Sequence, residues 1–146
     1  VQVNRGGFDV HYNAFPAMQA HGEVMDPALS SLVSDLASSG LLSKTLIIML
    51  SEFGRTPKIN KDAGRDHWPR VNSALLACGG MRTGQVIGTT DKHAGEVVDR
   101  PVTFGDIHAT LLHNLGINPH MAIPDAQGRL QRPVGDEAHP IAELIG

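Results

Sequence analysis

The sequence predicts an α/β domain built on a mainly parallel sheet with helices against it. Three observations carry that reading. Leu46-Ile47-Ile48-Met49-Leu50 is a continuous apolar run between polar turns, the pattern of a strand buried on both faces. Ser73 to Ala77 repeats it and stops at Gly79-Gly80. Apolar residues at helical spacing stand on either side: Leu29, Leu32, Val33 and Leu36 before, Ile107, Leu111, Leu112 and Leu115 after.

Each element has its own local signal. Residues 1–25 read as a loop-rich opening with Gly6, Gly7, Pro16 and Gly22. Asp26-Pro27 has the form of a helix start, an N-cap acid followed by proline at the first helical position, and Gly40 stands where a left-handed C-terminal residue belongs. A long polar loop, Thr56 to Arg70, follows the first strand; loops of that length inside a compact domain are usually functional or disordered. Gln85 to Gly88 is a further short strand candidate. Thr103 caps the second helix, with Asp106 three residues later in place of the usual Glu or Gln of a capping box, and Gly116 and Pro119 end it. Residues 120–146 read as turns, one short strand and a final helical turn at Ile141 to Leu144. With so few strands, the sheet is expected to be part of a larger one: residues 1–146 form a single domain, the C-terminal portion of a bigger fold.

Composition removes several function classes. Among 146 residues the apolar fraction is 41% and the aromatic fraction 4%, so aliphatic residues must fill the core. A net charge of -3 with no basic cluster argues against nucleic acid or an anionic membrane as partner. The single cysteine, Cys78, excludes an internal disulfide and a thiolate-rich zinc site. Gly79-Gly80-Met81-Arg82-Thr83-Gly84 lacks the spacing of a dinucleotide or P-loop fingerprint. The chain reads as soluble, with no signal peptide and no apolar run long enough to cross a bilayer.

The residues that carry chemistry cluster in the first half. Asp9-Val10-His11 places two ligand types two apart; on an extended segment both face one side and suit one cation. The bland alternative is a turn aspartate beside a surface histidine. Glu52 directly follows the apolar run, and a carboxylate there needs a partner if buried; it serves a metal, or it caps a turn or pairs with Arg55. Asp66-His67 joins an acid and an imidazole in a glycine-punctuated loop, with Asp66 as a candidate orienting partner for a ligating histidine. Arg55, Lys58 and Arg65 are candidates for an anionic substrate, or simply a solvated basic loop. Trp68 reads as an anchor. The other histidines have no acidic arrangement that singles them out.

Taken together, GGFDVHYNAF, DPALSSLVSDL, TLIIMLSEFGRTPKIN and GRDHWPRVNSALLACGGM resemble the C-terminal part of the sulfatase-like family known as domain of unknown function 1501, as do the later stretches through PIAELIG. The SEFGRTP and GRDHWP blocks, in that order and spacing, are the specific ones. The resemblance implies the alkaline phosphatase and sulfatase superfamily: an α/β/α sandwich whose members hydrolyse phosphate or sulfate esters with divalent cations, often zinc and in sulfatases calcium. It implies Asp9, His11 and His67 as ligands of one metal and Glu52 as the acid of a second. It also marks departures. Phe53 stands where the superfamily has a histidine, Asp9 and His11 are closer together than usual, and the superfamily nucleophile lies in a region N-terminal to these blocks. The expectation is therefore the metal-site region of an ester hydrolase, incomplete for catalysis in itself; the alternative is a non-catalytic metal-binding or interaction domain. Either way the chain is expected to self-associate or to dock on a missing N-terminal part. The relatives that the resemblance implies are often exported.

Overall fold

In a computed structural model, which describes residues 1–145, the chain forms two α-helices and eight short strands. The order is α1 (Ala14–Ser38), a 3₁₀ turn (Leu42–Lys44), β1 (Leu46–Met49), β2 (Gly54–Arg55), β3 (His67–Trp68), β4 (Leu75–Cys78), β5 (Thr89–Thr90), β6 (Val97–Asp99), α2 (Phe104–Asn114), β7 (Ile123–Pro124) and β8 (Leu130–Gln131).

The strands make four separate antiparallel pairs, β1 with β4, β2 with β3, β5 with β6 and β7 with β8. This overturns the expected parallel sheet and, with it, the α/β/α sandwich. The two apolar runs do pair, but head to tail, Leu46 opposite Cys78 and Met49 opposite Leu75. The physical reason lies in the connection. A parallel pair needs a crossover, usually a helix; residues 50–74 instead fold back as the β2–β3 ribbon, which returns the chain antiparallel. Nor are the strands buried on both faces: Met49 and Leu75 are exposed and Leu46 to Ile48 only half-buried. No strand forms at Gln85 to Gly88.

The first helix is longer than its sequence signals. It starts at Ala14, and Pro27 lies inside it rather than at its first position. Asn13 is left-handed with no side-chain cap; the orphan N–H groups of Asn13 and Ala14 go instead to the carbonyls of Asp62 and Ala63. Tertiary backbone contacts thus replace the cap that the sequence lacks. At the other end Gly40 (φ 71°) closes a Schellman motif, with Gly40 N–H on Ala37 O and Leu41 N–H on Leu36 O. The second helix follows its sequence signal: Asp106 N–H donates to Thr103 Oγ1 at 3.1 Å and Thr103 N–H to Asp106 Oδ2 at 2.8 Å, a full capping box.

The core sits under α2. Ala109, Val134 and Ala138 pack with Leu112, and Ile141 and Leu144 are buried nearby. Thr110, fully buried, ties the C-terminal segment to α2: its hydroxyl donates to Asp106 O (2.6 Å) and accepts from Ile141 N–H (2.8 Å). Arg100 adds a forked pair with Glu143, 2.6 and 2.7 Å. Large apolar side chains on α1 and on the β1–β4 pair, among them Phe15, Val24, Leu32 and Met49, are exposed. No helix among the described residues is long and apolar enough to cross a membrane.

Candidate metal centre

Two segments build the site. One is the arm Phe8 to Asn13 that leads into α1. The other is the β2–β3 ribbon, in which Arg55 stands opposite His67. The loop between the strands is shaped by Asn60, whose side-chain oxygen accepts from Asp62 N–H and Gly64 N–H at 3.0 and 2.9 Å, a local turn that asparagine makes readily. The arm lies along this loop: Arg65 N–H reaches Val10 O, and Tyr12 bridges Ala63. Contact is closest at Gly64, where an added Cβ would meet the His11 carbonyl group at 2.0 Å. Only glycine lets the arm approach so near.

This packing brings Asp9, His11 and His67 together, with one donor atom from each lying within 4.8 Å of the others. Asp9 Oδ1 is the hub. It accepts from His67 Nε2 at 2.7 Å and from Arg55 Nη2 at 2.8 Å, and lies 3.0 Å from His11 Nε2. The other ring nitrogen of His11, Nδ1, donates to Asp66 Oδ1 at 2.7 Å. Carboxylates near both nitrogens of His11 favour the protonated ring while no cation is bound, and a cation at Nε2 would displace that proton. The His11 pKa is accordingly raised, first by the Asp66 hydrogen bond. Asp9 is held well below the ordinary carboxylate range, first by His67 and then by Arg55; Asp66 is lowered by His11 and then by Asn60. The Asp9, His11, Asp66 and His67 side chains are open to solvent.

The donor chemistry fits a cation. One carboxylate oxygen and two imidazole nitrogens are zinc-type ligands, and three protein donors leave coordination positions open. Asp66 stands behind His11 as the carboxylate partner that fixes a ligating ring. It does not serve its sequence neighbour His67, whose ring packs instead against Phe53, centroids 4.3 Å apart. Phe53, a non-ligand by type, is thus a wall of the site.

The remaining expectations fall differently. Glu52 lies on an exposed turn between β1 and β2, with no hydrogen bond or ion pair among the described residues, and is not part of the cluster. Arg55 is committed to the site's own frame, donating to Phe8 O, Asp9 and Arg65 O. Arg65 donates to Thr56 O. Trp68 is an anchor: its indole N–H donates to Gly95 O at 2.8 Å, and Arg70 beyond it pairs with Glu96. Asn60, which holds Asp66 Oδ1 (3.3 Å) and His11 O (2.9 Å), had no signal in sequence beyond being a turn former.

Searches of curated proteins and of solved structures return no match. Residues 1–145, the arm, the ribbon and both helices included, match the family described as Protein of unknown function (DUF1501), and the chain belongs to that family.

Proposed function

We propose that Asp9, His11 and His67 bind one divalent cation, zinc first among candidates, and that the chain is the metal-site region of a hydrolase acting on phosphate or sulfate esters. The observation that supports this is the convergence of three donor groups with a carboxylate behind one of the imidazoles. The donor set favours zinc over calcium, which prefers an all-oxygen shell. When bound, the cation would polarise an ester oxygen and stabilise charge on the transferring group. The chain's own residues do the rest. Asp66 fixes the His11 ring with Nε2 toward Asp9. Phe53 backs the His67 ring. Arg55, bonded to Asp9 and Phe8 O, holds the Asp9 carboxylate in place. Glu52 is left out of the ligand set. No side chain is assigned as nucleophile. The finer placement in the sulfatase-like superfamily rests on the SEFGRTP and GRDHWP blocks and draws no support from the antiparallel fold.

Zinc titration followed by calorimetry tests the reading. The chain is expected to bind one equivalent of Zn²⁺, and Asp9→Ala and His67→Ala are each expected to abolish tight binding. Unchanged zinc content in both variants would remove the site. Assays on aryl phosphates and aryl sulfates then separate the two functional classes: zinc bound without turnover of either is the result expected of a non-catalytic metal-binding domain.

A further inference from the structure

Asp9 is delivered by a segment with little structure of its own. Residues 1–10 belong to no helix or strand, and Val1 to Asp9 are exposed. Just before Asp9, two side chains hold this arm from opposite sides. One is Arg55, already part of the site. The other comes from outside it, from α1.

His21, in the second turn of α1, uses its whole ring on the arm. Nε2 lies 2.8 Å from Gly7 O. Arg5 Nε donates to Nδ1 at 3.2 Å. The ring face stacks on Phe8, centroids 4.1 Å apart and planes 18° from parallel. With Nδ1 accepting, Nε2 carries the proton and donates to the carbonyl, so one tautomer satisfies both nitrogens. The backbone is shaped to the same contact. Gly7 is left-handed at φ 94°, and a Cβ there would meet His21 Cε1 at 2.9 Å. The three arm residues held, Arg5, Gly7 and Phe8, lie immediately before Asp9, and Arg55 grips Phe8 O (2.9 Å) from the opposite side. Phe8 is therefore held between α1 and β2.

We infer that His21 is a positioning residue for Asp9: by clamping Gly7 and Phe8 it sets where the arm presents the carboxylate to His11 and His67. Among the described residues His21 makes no hydrogen bond or ring stacking with the three donor side chains, and its effect on a cation is taken to run through Asp9. The consequence for the cation rests on the metal-site reading above; the clamp itself does not.

The experiment has two arms, so that failure of one reading is not mistaken for failure of the other. In the metal-free chain, ¹⁵N relaxation is measured on His21→Ala. The heteronuclear NOE of the Phe8 and Asp9 amides is expected to fall, while that of Gly64 and Arg65, in the facing loop, holds. An unchanged NOE at Phe8 and Asp9 overturns the inference whatever the chain binds. In the second arm Zn²⁺ alone is titrated. His21→Ala is expected to lower affinity, by less than the roughly 10- to 100-fold that loss of a direct hydrogen-bond partner of a metal ligand costs. His21→Gln, which retains an N–H for Gly7 O, should recover part of the loss. On the residual weak Zn²⁺ binding of the two histidines in an Asp9→Ala background, His21→Ala should cost nothing further, because the two act as one unit. A full additional loss there would overturn the assignment to Asp9. Absence of zinc binding by the unmodified chain would count against the metal reading and leave the relaxation result to decide the clamp.

Discussion

Asp66 and His11, 55 residues apart in sequence, face each other across the site with Oδ1 2.7 Å from Nδ1, while His67, the immediate neighbour of Asp66, turns away to Asp9. Adjacent residues on a strand point to opposite sides, so an acid next to a histidine on the β3 edge is poorly placed to orient it. The acid instead orients a histidine from the other segment. The pairing therefore couples the arm to the ribbon.

From that pairing follows the effect of Asp66→Ala. The variant keeps all three donor groups but frees the His11 ring. Zinc affinity is expected to fall about 10- to 100-fold, short of the loss in Asp9→Ala. Calorimetry of both variants at one pH is the check, and equal losses would place Asp66 among the ligands themselves.

Acid should release the C-terminal segment before it unfolds the rest. Glu143 is lowered to about 2 by its hydrogen bonds with Arg100. A carboxylate lowered on folding contributes stability above its unfolded value, here 4.5, and loses it as pH falls toward the folded value. Protection of the Ile141 and Leu144 amides, bonded to Thr110 Oγ1 and Ile141 O, is expected to decline between about pH 4.5 and 2. Glu143→Gln should shrink that pH-dependent step, leaving the part carried by Asp106, which accepts from His139 N–H, while lowering protection at neutral pH. A pH-independent profile in the unmodified chain would exclude the Arg100 pair as the cause.

How legible this was in sequence depended on what each feature is made of. Asp9, His11 and His67 could be singled out because ligand chemistry is written in residue type. The capping box of α2 and the Gly40 terminus were equally local and equally readable. Strand direction was not. A run such as Leu46 to Leu50 specifies burial, and nothing in it distinguishes a parallel from an antiparallel partner; the β2–β3 ribbon decides that, through pairs only two residues long. The start of α1 was hidden for a related reason: its N-terminal amides are satisfied by carbonyls at positions 62 and 63, and a backbone acceptor leaves no mark on the sequence. Asp26-Pro27, a good start signal by type, is overridden by that tertiary contact. Glu52 shows the converse. Its position after an apolar run left a metal acid and a turn residue equally open, and the residue stands on an exposed bend.

Thr110 is the most stringent test of the core. Thr110→Val preserves volume and shape but leaves Ile141 N–H without its acceptor. A buried donor stripped of its partner costs about 1–3 kcal/mol, and a Thr→Val change is not isosteric in polarity. Chemical denaturation should show a lower midpoint with an unchanged m-value. Stability equal to the parent would mean that water reaches the Ile141 amide.

Pro27 gives a prediction of opposite sign. Inside α1 it offers no N–H to Glu23 O, and its ring crowds that carbonyl. The position is exposed, so replacement by alanine removes the defect without opening a cavity. Pro27→Ala is expected to stabilise the helix by about 1–3 kcal/mol, less the entropy that proline removes from the unfolded chain. For a chain of this size that corresponds to a rise in Tm of roughly 2–4 °C per kcal/mol, with greater helical ellipticity at 222 nm. If helix α1 began instead at Asp26-Pro27, proline would occupy a favoured first-turn site and the same substitution would lower Tm. The sign of the shift therefore decides where the helix starts, and with it whether the arm carrying Asp9 is tied to a helix that begins at Ala14.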